Sequence, residues 1–344
     1  MNNGRNVCFR ILRILGGGAV LVLGVLSTLG SGGGGGDQAG AAPGAAPSPI
    51  TNLNFDAHNS VTAARSAAVV MSFFPGLTTL DQRIMTTLAT SAPGNSPFDL
   101  AMCLNAGLSI LTWIDGDHSG DLSMGDSTSL QFTDCDLDGN GTVTTGTVKF
   151  GFTSVNPDPL PNSNSFNAAV NLNVANASGT RTIAANFGTT TSTQNGIDFT
   201  YVYTTHGSTS QELAVSENGA ALTQFGCFKV TETFSTADSP GTYKLSPGGV
   251  INAADTIMSL AEGGQLSFVN AWVESGTQRL LGFAAPKCAI IGAADGSDGT
   301  DGSYIDMEAL GGDKLRLHTL DAANIELYSG ETTWEALLNP FGGP

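Results

Sequence analysis

Polar and apolar residues alternate along most of the chain from about residue 104, with the period of two that is typical of half-buried β-strands. The runs that show this alternation are 108–114, 128–132, 148–152, 199–203, 228–234, 266–272, 315–317 and 325–327. Turn-forming pairs such as Asn218-Gly219 and Gly311-Gly312 separate the runs. Regular strands joined by short turns predict a mainly β domain over residues 96–344, an antiparallel meander that forms a sandwich or a barrel.

A different pattern precedes the strands. Apolar residues over 51–95 recur at helical spacing. Two short helices are predicted, one over residues 60–73 and one over 80–90, and Pro75-Gly76 is expected to break them apart. The sequence therefore predicts a short N-terminal helical pair in front of the β domain.

The N-terminus has the layout of a secretory signal peptide. Three arginines precede an uncharged apolar stretch over residues 14–30, and small residues follow at once. We expect a signal peptide over residues 1–31 and a flexible Gly/Ala/Pro-rich linker over 32–50. An uncleaved membrane anchor is the alternative, but the stretch is short for a span and contains five glycines. We therefore expect an exported protein of a Gram-negative bacterium, periplasmic, extracellular or on the outer surface, with no transmembrane span in the mature chain.

The net charge narrows the range of partners. The chain carries a formal charge of −17, and loss of a signal that contains three arginines and no acidic residue makes the mature protein more negative. So acidic a protein is a poor partner for nucleic acid and for anionic membrane surfaces. It is suited instead to binding cations.

The cysteines indicate disulfides. Five are present, and four remain once Cys8 leaves with the signal. An even number in an oxidising compartment favours disulfide bonds. Of the three ways to pair four cysteines, we favour Cys103–Cys135 with Cys227–Cys288, because each bond closes a local unit. Free buried thiols are the alternative.

An acidic loop over residues 115–126 follows the spacing of a calcium loop, with side-chain oxygens at positions 1, 3 and 5 and glycine at position 6. Calcium binds about six to eight oxygens, and glycine permits the tight turn that brings them together. Position 12 is aspartate, whose side chain is shorter than the usual glutamate and favours calcium over magnesium less strongly. The predicted ligands are the side chains of Asp115, Asp117, Ser119, Ser123 and Asp126 and the backbone carbonyl of Asp121.

A second acidic loop over residues 136–147 follows the same spacing less completely. The predicted ligands are Asp136, Asp138, Asn140, Thr142 and Thr144. Position 12 is Thr147, which offers no carboxylate. A plain hairpin turn on Asp-Gly-Asn-Gly over residues 138–141 explains the same sequence without a metal. We therefore expect one calcium ion in the first loop, and either a second ion or a bare turn here.

Both loops resemble those of EF-hands and dockerins over about twelve residues each. The residues after the first loop alternate like a strand, so we expect strand–loop–strand units. Residues 103–135 read Cys, a strand, Asp-x-Asp-x-x-Gly-x-Leu-Ser-x-Gly-Asp, then a strand ending in Phe-x-x-Cys. This segment, together with the closing Trp334-Glu-Ala-Leu-Leu, is similar to a group of exported β-rich proteins of Gram-negative bacteria that have no assigned activity. The resemblance implies export and a β fold.

The sequence supports three functional hypotheses. The leading one is a non-enzymatic, exported calcium-binding β protein with a structural or adhesive role, whose partner is a surface glycan or another surface protein. The alternative is a carrier or binding module for an apolar or glycan ligand. The third is a calcium-dependent glycan-active enzyme, which needs two carboxylates facing each other across a cleft. Its candidate carboxylates are Glu232, Glu274 and Asp306.

Overall fold

The computed structural model describes most of the predicted β domain and the helical segment before it. The described residues are 55–93, 96–137, 139, 141–155, 164–194, 198–204, 213–227, 229–235, 250–252, 257–260, 265–268, 277–283 and 300–338. The predicted signal peptide and linker lie outside these residues. So do Asp138, Asn140, Glu274 and Cys288, and with Cys288 the predicted Cys227–Cys288 bond.

The described residues are mainly β, as predicted, with two helices. The helices are α1 (Ser60–Ala89) and α2 (Trp334–Leu338). The strands are β1 (Phe98–Asp99), β2 (Leu108–Ile114), β3 (Ser127–Cys135), β4 (Val143–Val155), β5 (Asn164–Asn176), β6 (Gly179–Gln194), β7 (Asp198–Thr204), β8 (Leu213–Glu217), β9 (Ala220–Cys227), β10 (Lys229–Ser235), β11 (Val250–Asn252), β12 (Ile257–Leu260), β13 (Gln265–Phe268), β14 (Thr277–Phe283), β15 (Thr300–Gly311), β16 (Lys314–Leu320) and β17 (Glu326–Thr333).

The strands form an antiparallel meander. Strands β1 to β6 pair in chain order. The sheet then branches, because one part of β6 pairs with β7 and another part pairs with β8. On one branch β7 pairs with β10, which pairs with β11. On the other branch β8 pairs with β9, which pairs with β12. From β12 to β17 the order is again that of the chain. Among the described residues no ladder joins β17 to β1 or β2, so the sheet is not closed into a barrel, and a sandwich-like arrangement remains compatible with it.

Alternating burial explains why these segments form strands. In β5 the inward residues are apolar and buried, whereas Asn167, Asn171 and Asn173 face outward and are exposed. The buried set is Phe166, Ala168, Val170, Leu172 and Val174. One face of the sheet is therefore apolar and the opposite face is polar, which is the pattern of an antiparallel sheet with one side on a core.

The predicted helical pair is wrong, because residues 60–89 form one continuous helix that runs through Pro75. Proline removes a helix hydrogen bond and crowds the preceding turn, but here the whole segment around it is buried. Hydroxyl groups bond helix carbonyls on both sides, Ser72 Oγ to Ala68 O at 2.7 Å and Thr79 Oγ1 to Pro75 O at 2.9 Å. Burial of the apolar helix thus outweighs the local preference for a break.

Helix α1 lies inside the sheet and fills its core. The Phe74 ring contacts Phe187 of β6 and Tyr203 of β7, with centroids 6.4 and 4.9 Å away. At the start of the helix, Thr319 of β16 donates a hydrogen bond to Ser60 Oγ at 2.8 Å. Strands from both halves of the meander therefore contact one helix. By length and composition α1 could cross a membrane, but 78% of its most apolar window is buried inside the protein.

Candidate functional site

The two acidic loops connect three successive strands. Residues 115–126 join β2 to β3, and residues 136–142 join β3 to β4. The strand–loop–strand arrangement expected from the sequence is therefore present. One loop enters β3 and the other leaves it, so the two lie at opposite ends of that strand, and each is described by its own contacts.

The first loop is organised around the carboxylate of Asp115. Its Oδ1 accepts a hydrogen bond from Ser119 N at 3.2 Å, and its Oδ2 accepts one from Gly120 N at 2.9 Å. Gly120 has a φ of +84°, a backbone conformation that glycine adopts without steric cost. The glycine at position 6 of the motif thus turns the chain so that its N–H points at the carboxylate of position 1.

Asp126, at the last position of the motif, closes the loop. Its side chain is buried. Oδ1 accepts a hydrogen bond from Gly116 N at 2.8 Å and Oδ2 one from Ser123 N at 2.9 Å. The backbone of the same residue pairs with β4, because Phe152 N donates to Asp126 O at 2.9 Å. The carboxylate therefore joins both ends of the loop and fixes them to the sheet.

Asp117 projects from the exposed side of the loop. Hydrogen bonds from Ser119, first from its side chain and then from its backbone, and a further one from the Ser123 hydroxyl hold the pKa of Asp117 at about 2, below its usual 3.8. Because this pKa is lower in the folded protein than in the unfolded chain, the stabilising effect of these bonds is fully present above about pH 4. It is lost as the pH falls toward about 2.

The loop brings three carboxylates together. One oxygen each from Asp115, Asp117 and Asp126 lie within 4.8 Å of one another, a group that could hold a metal ion. Around them the Ser119 hydroxyl donates to Asp121 O at 2.9 Å, so all six predicted ligand residues belong to one hydrogen-bonded loop. Leu122, at position 8, packs against the apolar core as such a loop requires.

The second loop uses its first aspartate in the same way but gathers fewer ligands. Asp136 is buried, and it accepts hydrogen bonds from Gly139 N at 2.7 Å and Gly141 N at 3.0 Å. The Asn105 amide bonds its Oδ2 at 3.3 Å. Thr142 and Thr144 are buried, and Thr144 already lies in β4, paired with Cys135. These bonds are those of a tight turn, and the other two predicted ligands lie outside the described residues.

A disulfide joins Cys103 to Cys135, which confirms the first predicted pairing. The residues on either side of it also pair through their backbones. Leu104 N donates to Asp136 O at 2.7 Å, and Asp136 N donates to Ala106 O at 2.9 Å. The bond therefore fastens the segment before β2 to the beginning of the second loop.

A third polar group lies inside the protein, between α1 and strands β7 and β10. It consists of Thr78, Asp81, Tyr201, Tyr203 and Glu232, all buried. The sequence analysis named Glu232 only as one of three enzyme carboxylates and placed Asp81 only within the predicted helix over residues 80–90. The available signal was Asp81 within an apolar helix and two tyrosines on the inward face of a strand. Of the other proposed enzyme carboxylates, Asp306 is engaged by Arg279 at 2.6 Å.

Fold and site together define the class of protein: a mainly β chain whose strands surround a helix and whose β2–β3 connection is an acidic loop. Comparison with protein-family models, with curated proteins and with solved structures finds no match to the chain. The chemistry of the site therefore rests on its own geometry.

Proposed function

We propose that this chain is an exported, calcium-binding β protein with a structural or adhesive role at the cell surface. The observation that carries the proposal is the convergence of the Asp115, Asp117 and Asp126 carboxylates to within 4.8 Å of one another. Three negative charges so close together repel one another, and a cation bound between them would remove that repulsion.

The donor set fits calcium better than a transition metal. Every predicted ligand atom is an oxygen, and hard oxygen donors suit Ca²⁺ and Mg²⁺ rather than the softer metals that favour histidine and cysteine. Asp117 lies on the exposed side of the loop, where water can supply further ligands. A Ca²⁺ site tolerates such flexible, mixed coordination, whereas Mg²⁺ demands near-octahedral geometry.

Two features support a structural role in an oxidising compartment. The loop joins β2 to β3, and Asp126 is hydrogen-bonded through its backbone to β4, so an ion bound there would tie three strands together. The disulfide Cys103–Cys135 is a bond that persists in exported proteins and is rare in reducing compartments. The partner we propose is a surface glycan or another surface protein.

The two alternatives have less support among the described residues. A carrier needs an interior cavity, but side chains of α1, such as Phe74, occupy the space inside the sheet. An enzyme of the predicted kind needs two accessible carboxylates across a cleft. Glu232 is buried and Asp306 is paired with Arg279, so neither stands ready for that role.

The test of calcium binding is a thermal unfolding experiment on the protein with its disulfide intact, in calcium, in magnesium and in chelator. Calcium should raise the midpoint, since a ligand that binds only the folded state stabilises it, by about 2.7 kcal/mol at a concentration one hundred times Kd. Asp117→Asn should abolish most of the rise. Asp121→Asn is the matched control, because its predicted ligand is a backbone carbonyl that the substitution retains. Identical midpoints in millimolar calcium and in chelator would refute the metal site.

The adhesive role is tested separately. Immobilised surface glycans or bacterial cells should retain the protein in calcium and release it in chelator, and Asp117→Asn should bind more weakly than Asp121→Asn. Retention that is equal in calcium and in chelator would leave the calcium site without an adhesive role. The two experiments therefore distinguish failure of binding to the metal from failure of the proposed role.

A further inference from the structure

The buried polar group between α1, β7 and β10 has no part in the calcium loop, and its hydrogen bonds run in two short chains. The Tyr201 hydroxyl donates to Asp81 Oδ2 at 2.8 Å. Thr78 Oγ1 donates to Glu232 Oε2 at 2.5 Å and also bonds the Tyr203 hydroxyl. Each acidic side chain is therefore bonded through one of its two oxygens by a hydroxyl group.

The other oxygen of each acid has no partner. Asp81 Oδ1 and Glu232 Oε1 are both buried and make no hydrogen bond in the described part of the protein. An ionised carboxylate with an unbonded oxygen is costly to bury, and such a group relieves the cost by taking up a proton. The geometry thus favours the neutral acid at both positions.

Among the described residues, no positively charged group compensates the two acids. The titratable groups that face them are the neutral hydroxyls of Tyr201 and Tyr203 on β7. The β6 residues paired with these tyrosines are the buried Thr191 and Thr189. Arg83, the basic residue nearest to Asp81 in sequence, directs its guanidinium to Leu100 O at 2.6 Å, and Lys229, the one nearest to Glu232, is exposed. Burial accordingly raises the pKa of Asp81 from 3.8 to about 7, and it raises that of Glu232 from 4.5 to about 7.

We propose that Asp81 and Glu232 form a proton-dependent latch that holds α1 against β7 and β10 when both acids are neutral and loosens when they ionise. Asp81 lies on the helix, Glu232 on β10, and Tyr201 faces Glu232 across the β7–β10 ladder. Loss of both protons to solvent places two negative charges between the helix and the two strands. The helix and the sheet that surrounds it are then held together less strongly.

The direction of the pH effect follows from the two protonation equilibria. Both acids are protonated in the folded protein up to about pH 7, whereas in the unfolded chain they ionise near pH 4. The contribution of the latch is therefore complete below about pH 4 and is lost progressively as the pH rises to about 7. Over that window unfolding becomes more favourable by about tenfold per pH unit for each acid.

The test is denaturant unfolding of the full chain between pH 5 and pH 8 in chelator, so that the acidic loops bind no metal. The wild-type protein should lose stability as the pH rises. Asp81→Asn with Glu232→Gln should lose much less, because a neutral amide of the same shape does not ionise. Glu308→Gln with Glu331→Gln is the matched control, since it removes two exposed acids that pair with Arg316, which stays charged over this pH range, and it should lose stability as the wild type does.

Two further measurements on the wild-type protein test the latch without the buried double variant, and so do not depend on whether that variant folds. In carbon-13 spectra of the wild type, the side-chain carboxyl signals of Asp81 and Glu232 should titrate near pH 7, and titration of both near pH 4 would overturn the latch. Helix amide protons over residues 77–85 should become less protected above pH 7 once the intrinsic rate of exchange is allowed for. Unchanged protection of the helix, or a wild-type stability that does not fall between pH 5 and pH 8, would also overturn it.

Discussion

At the scale of single residues, Asp126 is the carboxylate on which the first loop depends even before a metal binds. It is buried and accepts hydrogen bonds from Gly116 N and Ser123 N. Asp126→Ala should leave both donors without a partner and destabilise the metal-free protein by about 1–3 kcal/mol. Denaturant unfolding in chelator would measure this. Asp121→Ala, at an exposed position of the same loop, should change stability by no more than about 0.5 kcal/mol, and equal effects of the two substitutions would contradict this account of the loop.

The residues of the first loop could be predicted from sequence because their relation is local. Spacing alone identified Asp115 and Gly120, and the bond between them is the one that the motif requires. The latch could not be found in this way. Asp81 and Glu232 are 151 positions apart in the numbering, and only the packing of a helix against two strands makes them neighbours. The position of Asp81 within an apolar helix is a local signal of burial, but it does not indicate which strand the acid faces.

At the scale of elements, ion pairs around the buried Arg181 fasten the helix to the sheet. Glu217 of β8 accepts hydrogen bonds from Arg65 of α1 at 2.6 Å and from Arg181 of β6 at 2.6 Å. Arg181 is buried, which lowers its pKa, and it also donates to the carbonyl of Leu338 in α2 at 3.2 Å. The cluster thus joins both helices to two paired strands.

Glu217→Gln should therefore be costly. It removes the carboxylate that neutralises the buried guanidinium of Arg181, and removal of one partner from a buried ion pair typically costs about 3–5 kcal/mol. Arg316→Gln is the contrasting control, because Arg316 pairs with Glu308 and Glu331 on the exposed face, where such pairs contribute at most about 1 kcal/mol. Urea unfolding of the two variants gives the comparison, and a loss of less than 1 kcal/mol for Glu217→Gln would show that the helix does not depend on this cluster.

The elements themselves were only partly predictable. Alternation identified β3, β4 and β7 correctly, with Phe132, Phe150 and Tyr201 on the buried face. The same alternation is present over Asn164–Asn176, but small residues and asparagines make it less conspicuous. In β2 both faces carry large apolar residues, so the pattern did not reveal that Trp113 points inward and Ile114 outward. The continuous helix was missed because local rules for proline do not include the stabilisation of a buried helix by its surroundings.

At the scale of the whole molecule, the meander follows from short turns between successive strands. The Asn218-Gly219 turn joins β8 to β9 with positive φ at both residues, as a tight hairpin of this kind requires. Such a turn keeps neighbours in sequence as neighbours in space, so the pairing within each hairpin could be predicted. The branch at β6, which pairs with both β7 and β8, could not. Whether the sheet closes into a barrel could not be predicted, because closure depends on the total curvature of the sheet and on what fills its interior. The helix that fills it comes from outside the predicted β domain.

The disulfide is the one covalent tie in the described part of this meander, and its removal tests how far the fold depends on it. Cys103 and Cys135 are 32 residues apart, and closing a loop of that length stabilises the folded state by about 3–4 kcal/mol in the chain-entropy model. Cys103→Ser with Cys135→Ser should lower the free energy of unfolding by that amount, measured in denaturant against the oxidised wild type.

The same variant should still respond to calcium. The loop lies between the two cysteines, but its ends are held by the β2–β3 ladder and by Asp126, which pairs with β4. A calcium-dependent rise in the thermal midpoint that survives loss of the disulfide would mean that the sheet alone preorganises the site. Loss of the response would instead show that calcium binding depends on the disulfide.

If the Cys103→Ser, Cys135→Ser variant had the same free energy of unfolding as the wild type, the two cysteines would not be joined in solution.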